Sequence, residues 1–154
     1  MTVGTDGDSR RDPERLRDRL DAEADADDPR GGAIDGAAIM IAAAKASVPA
    51  SLLPVLLDRA QGYLDTHADD YAREFECVHE TDDTAVYFVP LGHWDTKGAE
   101  LGFSHREVDA VRRAHTEHLR RIGTTADRRD EFETALEIRE VAVVGADRPR
   151  QSAR

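Results

Sequence analysis

The chain has 154 residues, 40% of them hydrophobic but only 5% aromatic, and its 32 acids against 21 bases leave a net charge of −11. That is enough for one modest core. The single cysteine, Cys77, excludes an intramolecular disulfide, and with no basic start followed by an apolar run, no signal peptide is expected. Aspartate outnumbers glutamate, and Lys45 and Lys97 are the only lysines. This is the surface chemistry of a protein that lives in concentrated salt. Short carboxylates hold water and cations there, and their mutual repulsion is screened. The expected location is cytoplasmic.

Residues 1–32 are mostly Asp, Arg, Gly and Ala, with little to bury, and are expected to form a disordered acidic tail. Asp12-Pro13-Glu14 could start only a short, fraying helix. A single globular domain is expected over residues 33–146, followed by a short polar tail at 147–154. The longest apolar stretch, Gly36 to Leu57, is interrupted by Lys45, Pro49 and Pro54, so it reads as two packed helices rather than a membrane span. Asp35 caps the first helix, roughly 36–47. Ser51 caps the second, because Pro54 then falls in the first turn, where no intrahelical N–H bond is lost. Leu53, Leu56, Leu57, Ala60, Tyr63, Leu64, His67 and Tyr71 recur at three- and four-residue steps, which predicts one continuous helix to about residue 73.

The period then changes to two. Phe75, Cys77 and His79 share one face, Thr81 to Thr84 is a turn, and Val86 to Val89 follow up to Pro90, so a β-hairpin is predicted. His93 to Leu101 forms a short helix with Trp94 as a core anchor, His93 and Asp95 capping or solvating it, and Gly102 ending it. Ser104 and Glu107 make a capping box for a helix running to Ile122, closed by Gly123. Its apolar face is Val108, Val111, His115, Leu119 and Ile122. Phe132, Thr134, Leu136 and Ile138 alternate with polar residues, and Val141 and Val143 continue out of phase. A strand over 131–144 with a bulge near Arg139-Glu140 is predicted. The fold class is therefore α+β, a short antiparallel three-stranded sheet packed against three to four helices on one face.

If the inner faces meet, Cys77, His79, His115 and His118 converge, with His67 nearby. Thiolate and imidazole suit zinc, and histidines three apart on a helix can share one metal. The four are metal-ligand candidates on chemistry alone, because no paired Cys-x2-Cys spacing fixes a site. The opposing reading makes them core residues, each satisfied by one hydrogen bond. No catalytic residue is assigned and no resident cofactor is expected; a buried Cys77 would be an inert thiol. Residues 93–122 also have a helix-turn-helix outline, with Arg106, Arg112, Arg113, Arg120 and Arg121 on the second helix. Against DNA binding stand the acidic molecule and the weakening of phosphate contacts in salt.

The closing stretch from Asp130 through Glu140-Val141 to Val143-Val144-Gly145, and the segment Val86 to Ile122 with its Val-Tyr-Phe-Val-Pro strand and Arg-Arg-Ala-His helix, resemble small uncharacterised proteins of haloarchaea. The resemblance covers roughly residues 34–145. It implies a lineage of unknown function and assigns no role to any residue. The expectation is a non-catalytic interaction or small-ligand-binding module, acting on an unknown protein partner or on itself as a homodimer, with no membrane association.

Overall fold

The computed structural model describes residues 33–145; the tails expected at 1–32 and 147–154 lie outside them. The element order is α1 (Gly36–Lys45), α2 (Leu53–Thr66), α3 (Ala68–Glu74), β1 (Glu76–Glu80), β2 (Thr84–Pro90), α4 (His93–Glu100), α5 (His105–Ala126), α6 (Arg129–Leu136) and β3 (Arg139–Gly145). The sheet is antiparallel with strand order β1-β2-β3. The α+β class holds, but the described residues form six helices with the sheet rather than three to four. They also cover both of its faces. Tyr87 and Phe88, neighbours on β2, point to opposite sides. The ring of Tyr71 on α3 meets Tyr87 at 6.2 Å, and Phe132 on α6 meets Phe88 edge-on at 6.1 Å. Ala85 to Val89 and Glu140 to Gly145 are accordingly buried without alternation.

Local chemistry explains where helices begin. Asp35 caps α1, its Oδ2 accepting from the Ala37 and Ala38 N–H groups at 3.1 and 3.3 Å. The Ser104–Glu107 capping box opens α5 as predicted. The cap of α2 is Leu52, not Ser51, because the Leu52 N–H bonds Pro49 O in a tight turn that takes up Ser51; Pro54 still lies in the first turn.

The predicted long helix breaks at His67. The Thr66 hydroxyl donates to Gly62 O, and His67 Nδ1 bonds Tyr63 O at 2.9 Å with its ring stacked on Tyr63. Side chains that bond back to carbonyls one turn earlier compete with the helical ladder and bend it. The chain restarts as α3, with Asp69 and Asp70 at its positive end.

Three further expectations are corrected. The face assigned to β1 is reversed: Val78 is buried, Cys77 is exposed and His79 is half-buried. A register shift between Cys77 and His79 turns Val78 inward, so Cys77 is not the buried thiol that simple alternation implied. Helix α5 runs past Gly123 to Ala126, with Asp127 in the left-handed region (φ 59°) as its cap. Gly123 instead permits a close approach: a Cβ there would sit 3.0 Å from Phe132 Cδ2 and 3.2 Å from Arg129 Cα.

That approach makes the third correction, because residues 129–136 form a helix and only 139–145 a strand. Phe132, Ala135 and Leu136 lie at helical spacing and pack on the core, with Phe132 fully buried. Ion pairs Arg128–Glu131 and Arg120–Glu133 fix the turn. Burying Phe132 contributes about 2–3 kcal/mol, while Ile138, freed from the alternation, is 65% exposed.

Helix α4 is clamped to β3. The Glu140 carboxylate accepts from the Gly92 and Trp94 N–H groups at 3.1 and 3.0 Å, satisfying donors at the helix start. The Trp94 indole, 1% exposed, donates to Val141 O at 2.8 Å. At Gly98 there is no room for a Cβ beside Val108, which brings α4 hard against α5.

Candidate functional site

The fold separates the sequence-predicted site residues. His115 is sealed in the core with its ring 4.6 Å from that of Trp94. Its Nδ1 accepts the Val143 N–H at 3.0 Å. Val141 and Val143 present the outer edge of β3, so Trp94 and His115 together satisfy a strand edge that would otherwise be an unpaired template. The ring is neutral, its proton on Nε2. Burial holds its pKa well below the usual histidine value, and the nearby His118 and His93 reinforce this.

His118 performs a similar task one turn on. Its Nδ1 accepts the Asp35 N–H at 2.9 Å. Burial lowers its pKa to about 4; Asp35 opposes the shift, while His79 and Arg121 add to it. Unlike His115, it borders open space. Asp35, His79, His118, Arg121, Ile122, Thr125 and Ala126 line a cleft of about 260 Å³. Asp35 arrives from the start of α1, His79 from the irregular stretch of β1, and the rest from one face of α5. Arg121 Nε pairs with Asp35 Oδ2 at 2.7 Å. The cleft thus has imidazole, carboxylate and guanidinium groups against a wall of Ile122, Thr125 and Ala126.

Of the four zinc candidates, His79 and His118 meet in this cleft. Cys77 is exposed with its Sγ 3.6 Å from His79 O, and His115 serves the sheet edge. Among the described residues no group of three or more His, Cys, Asp or Glu side chains is placed to hold a metal ion. His67 is occupied by Tyr63.

His93 was expected to cap or solvate α4 and is instead buried, sharing a 2.5 Å hydrogen bond between its Nε2 and the Tyr71 hydroxyl. Its Nδ1 has no partner among the described residues. Burial first, and Lys97 second, lower its pKa to about 4. Burial, with Tyr63 beside it, raises that of Tyr71. Both groups are therefore neutral at pH 7.

Helix α5, the would-be DNA reader, is the central helix of the domain. Val108, Ala110, Val111, Ala114, Leu119 and Gly123 are buried along its length. Four of its arginines are engaged: Arg112 with Asp95 and Asp109, Arg113 with Asp109, Arg120 with Glu117 and Glu133, and Arg121 with Asp35. A recognition helix must present an open flank to the groove, and this one is packed against α1, α2, α4, α6 and β3.

A family model described as "Domain of unknown function (DUF8048)" matches residues 32–146. The chain belongs to this family. No curated protein and no solved structure matches it. The matched span of the DUF8048 chain takes in every described element and the whole cleft. Among the described residues, no helix is long and apolar enough to cross a membrane.

Two features of this DUF8048 domain escaped the sequence reading: the Glu140 clamp, and the pairing of Asp35 with Arg121. The second had a signal. His118, Arg121, Ile122 and Thr125 fall at i, i+3, i+4 and i+7 and must share one helical face.

Proposed function

We propose that the DUF8048 domain is a non-catalytic, cytoplasmic module of a salt-adapted cell that binds a small polar ligand in the Asp35–His79–His118–Arg121 cleft. The observation that carries this reading is the convergence of imidazole, carboxylate and guanidinium groups on one concave surface beside an apolar wall, the usual make-up of a small-molecule site. A volume near 260 Å³ suits a ligand of few atoms. The ordering of His118 by a backbone N–H also supports binding over catalysis. A histidine of pKa about 4 is a poor proton acceptor at neutral pH.

The test is a chemical-shift titration of the full chain, in concentrated potassium chloride, with a panel of small carboxylates, phosphates, amines and sugars. Binding should perturb His118, Arg121 and Thr125 together. Thr125 is exposed at the cleft mouth, so Thr125→Trp should block binding without unfolding the domain. No hit across the panel, or hits that survive Thr125→Trp, would remove the proposal.

A further inference from the structure

A second concavity lies at the opposite end of β1. Phe75, Pro90, Leu91 and Ile138 form the apolar surface of a groove of about 360 Å³, with Glu74 and Arg139 among its lining residues. Leu91 and Ile138 are 61% and 65% exposed, two of the four large apolar side chains exposed among the described residues. The others, Met40 and Val55, are on α1 and α2, outside this groove.

We infer that this groove is a self-association surface, occupied by a second copy of the chain. Its charges argue for that occupant. Arg139 pairs with Glu76 at 3.1 Å and its guanidinium lies over the Phe88 ring, while Glu74 lines the same groove. A surface bearing both signs around an apolar centre is complementary to itself under a two-fold axis, which sets Arg139 of one copy against Glu74 of the other. A nucleic acid or an anionic membrane would meet two carboxylates for each guanidinium.

The chain's net charge of −11 opposes pairing at low salt. Concentrated salt screens that repulsion and strengthens apolar contact. Self-association therefore rises with salt, because relief of the repulsion between two chains of −11 and the stronger apolar contact outweigh the screening of the Arg139–Glu74 contacts. The groove is small against a standard interface, so the dimer is a reversible one.

The experiment is sedimentation velocity on the full chain over a wide concentration range, in dilute and in concentrated potassium chloride. The mass should move from one chain towards two as concentration and salt rise. Leu91→Glu with Ile138→Glu should weaken association about tenfold or more, the loss expected when large apolar side chains stop being buried. Because both side chains are exposed, the double variant should keep its circular dichroism and unfolding midpoint. Met40→Glu, on α1, should associate as the parent does. The inference is overturned by a parent that stays monomeric throughout, by association that falls as salt rises, by a double variant that pairs as well as the parent, or by loss of pairing in Met40→Glu alone.

Discussion

The outer edge of β3 and the cleft at the start of α1 meet the same need, a backbone N–H with no partner in its own element, and both meet it with the Nδ1 of a histidine on α5. His115 takes the Val143 N–H and His118 takes the Asp35 N–H. The surroundings differ. At β3 the acceptor is walled in by Trp94, and Glu140 locks the same strand to α4. At Asp35 the acceptor faces a cleft, and the neighbouring Arg121 and Asp35 stay half-exposed. A satisfied polar group in a closed core can only hold structure together, whereas the same group at an open surface keeps its remaining edge for a ligand. Hydrogen-bond chemistry does not distinguish the two buried histidines; the cleft that only His118 lines does.

The comparison breaks most sharply at Trp94. Trp94→Ala removes a fully buried ring and the donor to Val141 O, and should cost about 3–5 kcal/mol in denaturant unfolding. His115→Phe comes next. It keeps most of the volume but leaves the Val143 N–H unpaired in the core, for about 1–3 kcal/mol, and the Val143 amide should exchange faster with solvent. A neutral result for His115→Phe would mean that the strand edge finds another partner.

Acid separates the regions by a different route. His93 and His118 have pKa values lowered from 6.5 to about 4, and burial holds that of His115 well below the usual histidine value. The unfolded chain takes up protons below about pH 6.5 that the folded chain refuses. Each histidine therefore withdraws about 1.4 kcal/mol of stability per pH unit as pH falls from 6.5. For His93 and His118 the loss levels off near pH 4, where the folded state also protonates. His118→Asn keeps an acceptor where Nδ1 stood and cannot titrate. Its stability should fall less steeply than the parent's between pH 6.5 and 4, and parallel curves would show that His118 is not held neutral.

How much of this could be read in advance depended on whether the deciding interaction was local. The Asp35 cap, the Ser104–Glu107 box and the hairpin turn rest on residues within a few positions of one another, and all were legible; Trp94 was legible as a core residue by its size, but not its partners on β3. Residues 129–136 were not. Phe132, Thr134, Leu136 and Ile138 satisfy a period of two, while Phe132, Ala135 and Leu136 satisfy a helix. What decides is Gly123, which lets the segment dock on α5, and a gap at one glycine is invisible without the partner helix. The inward turn of Val78 depended on a register shift set by β2. The candidate site was half legible for the same reason. His79 and His118 were expected to meet and do, but the separation of Cys77 from them follows from that register shift.

The smallest effect sharpens the open side of the comparison. Asp35 does two things with one carboxylate: it caps α1 and it holds Arg121. Asp35→Asn preserves the cap, since asparagine caps as well as aspartate, and removes only the ion pair. That pair is half-exposed on both sides, so its loss should cost well under about 1 kcal/mol. Asp35→Ala removes both and should cost about 1 kcal/mol, most of it the cap. Neither change touches the Asp35 N–H that His118 accepts, so the cleft wall stays in place while Arg121 is released. If Arg121 is there to hold the fold, Asp35→Asn should itself be clearly destabilised although its cap is intact. If its partner is exchangeable, Asp35→Asn should unfold nearly as the parent does and leave the guanidinium open to an anion added from solution.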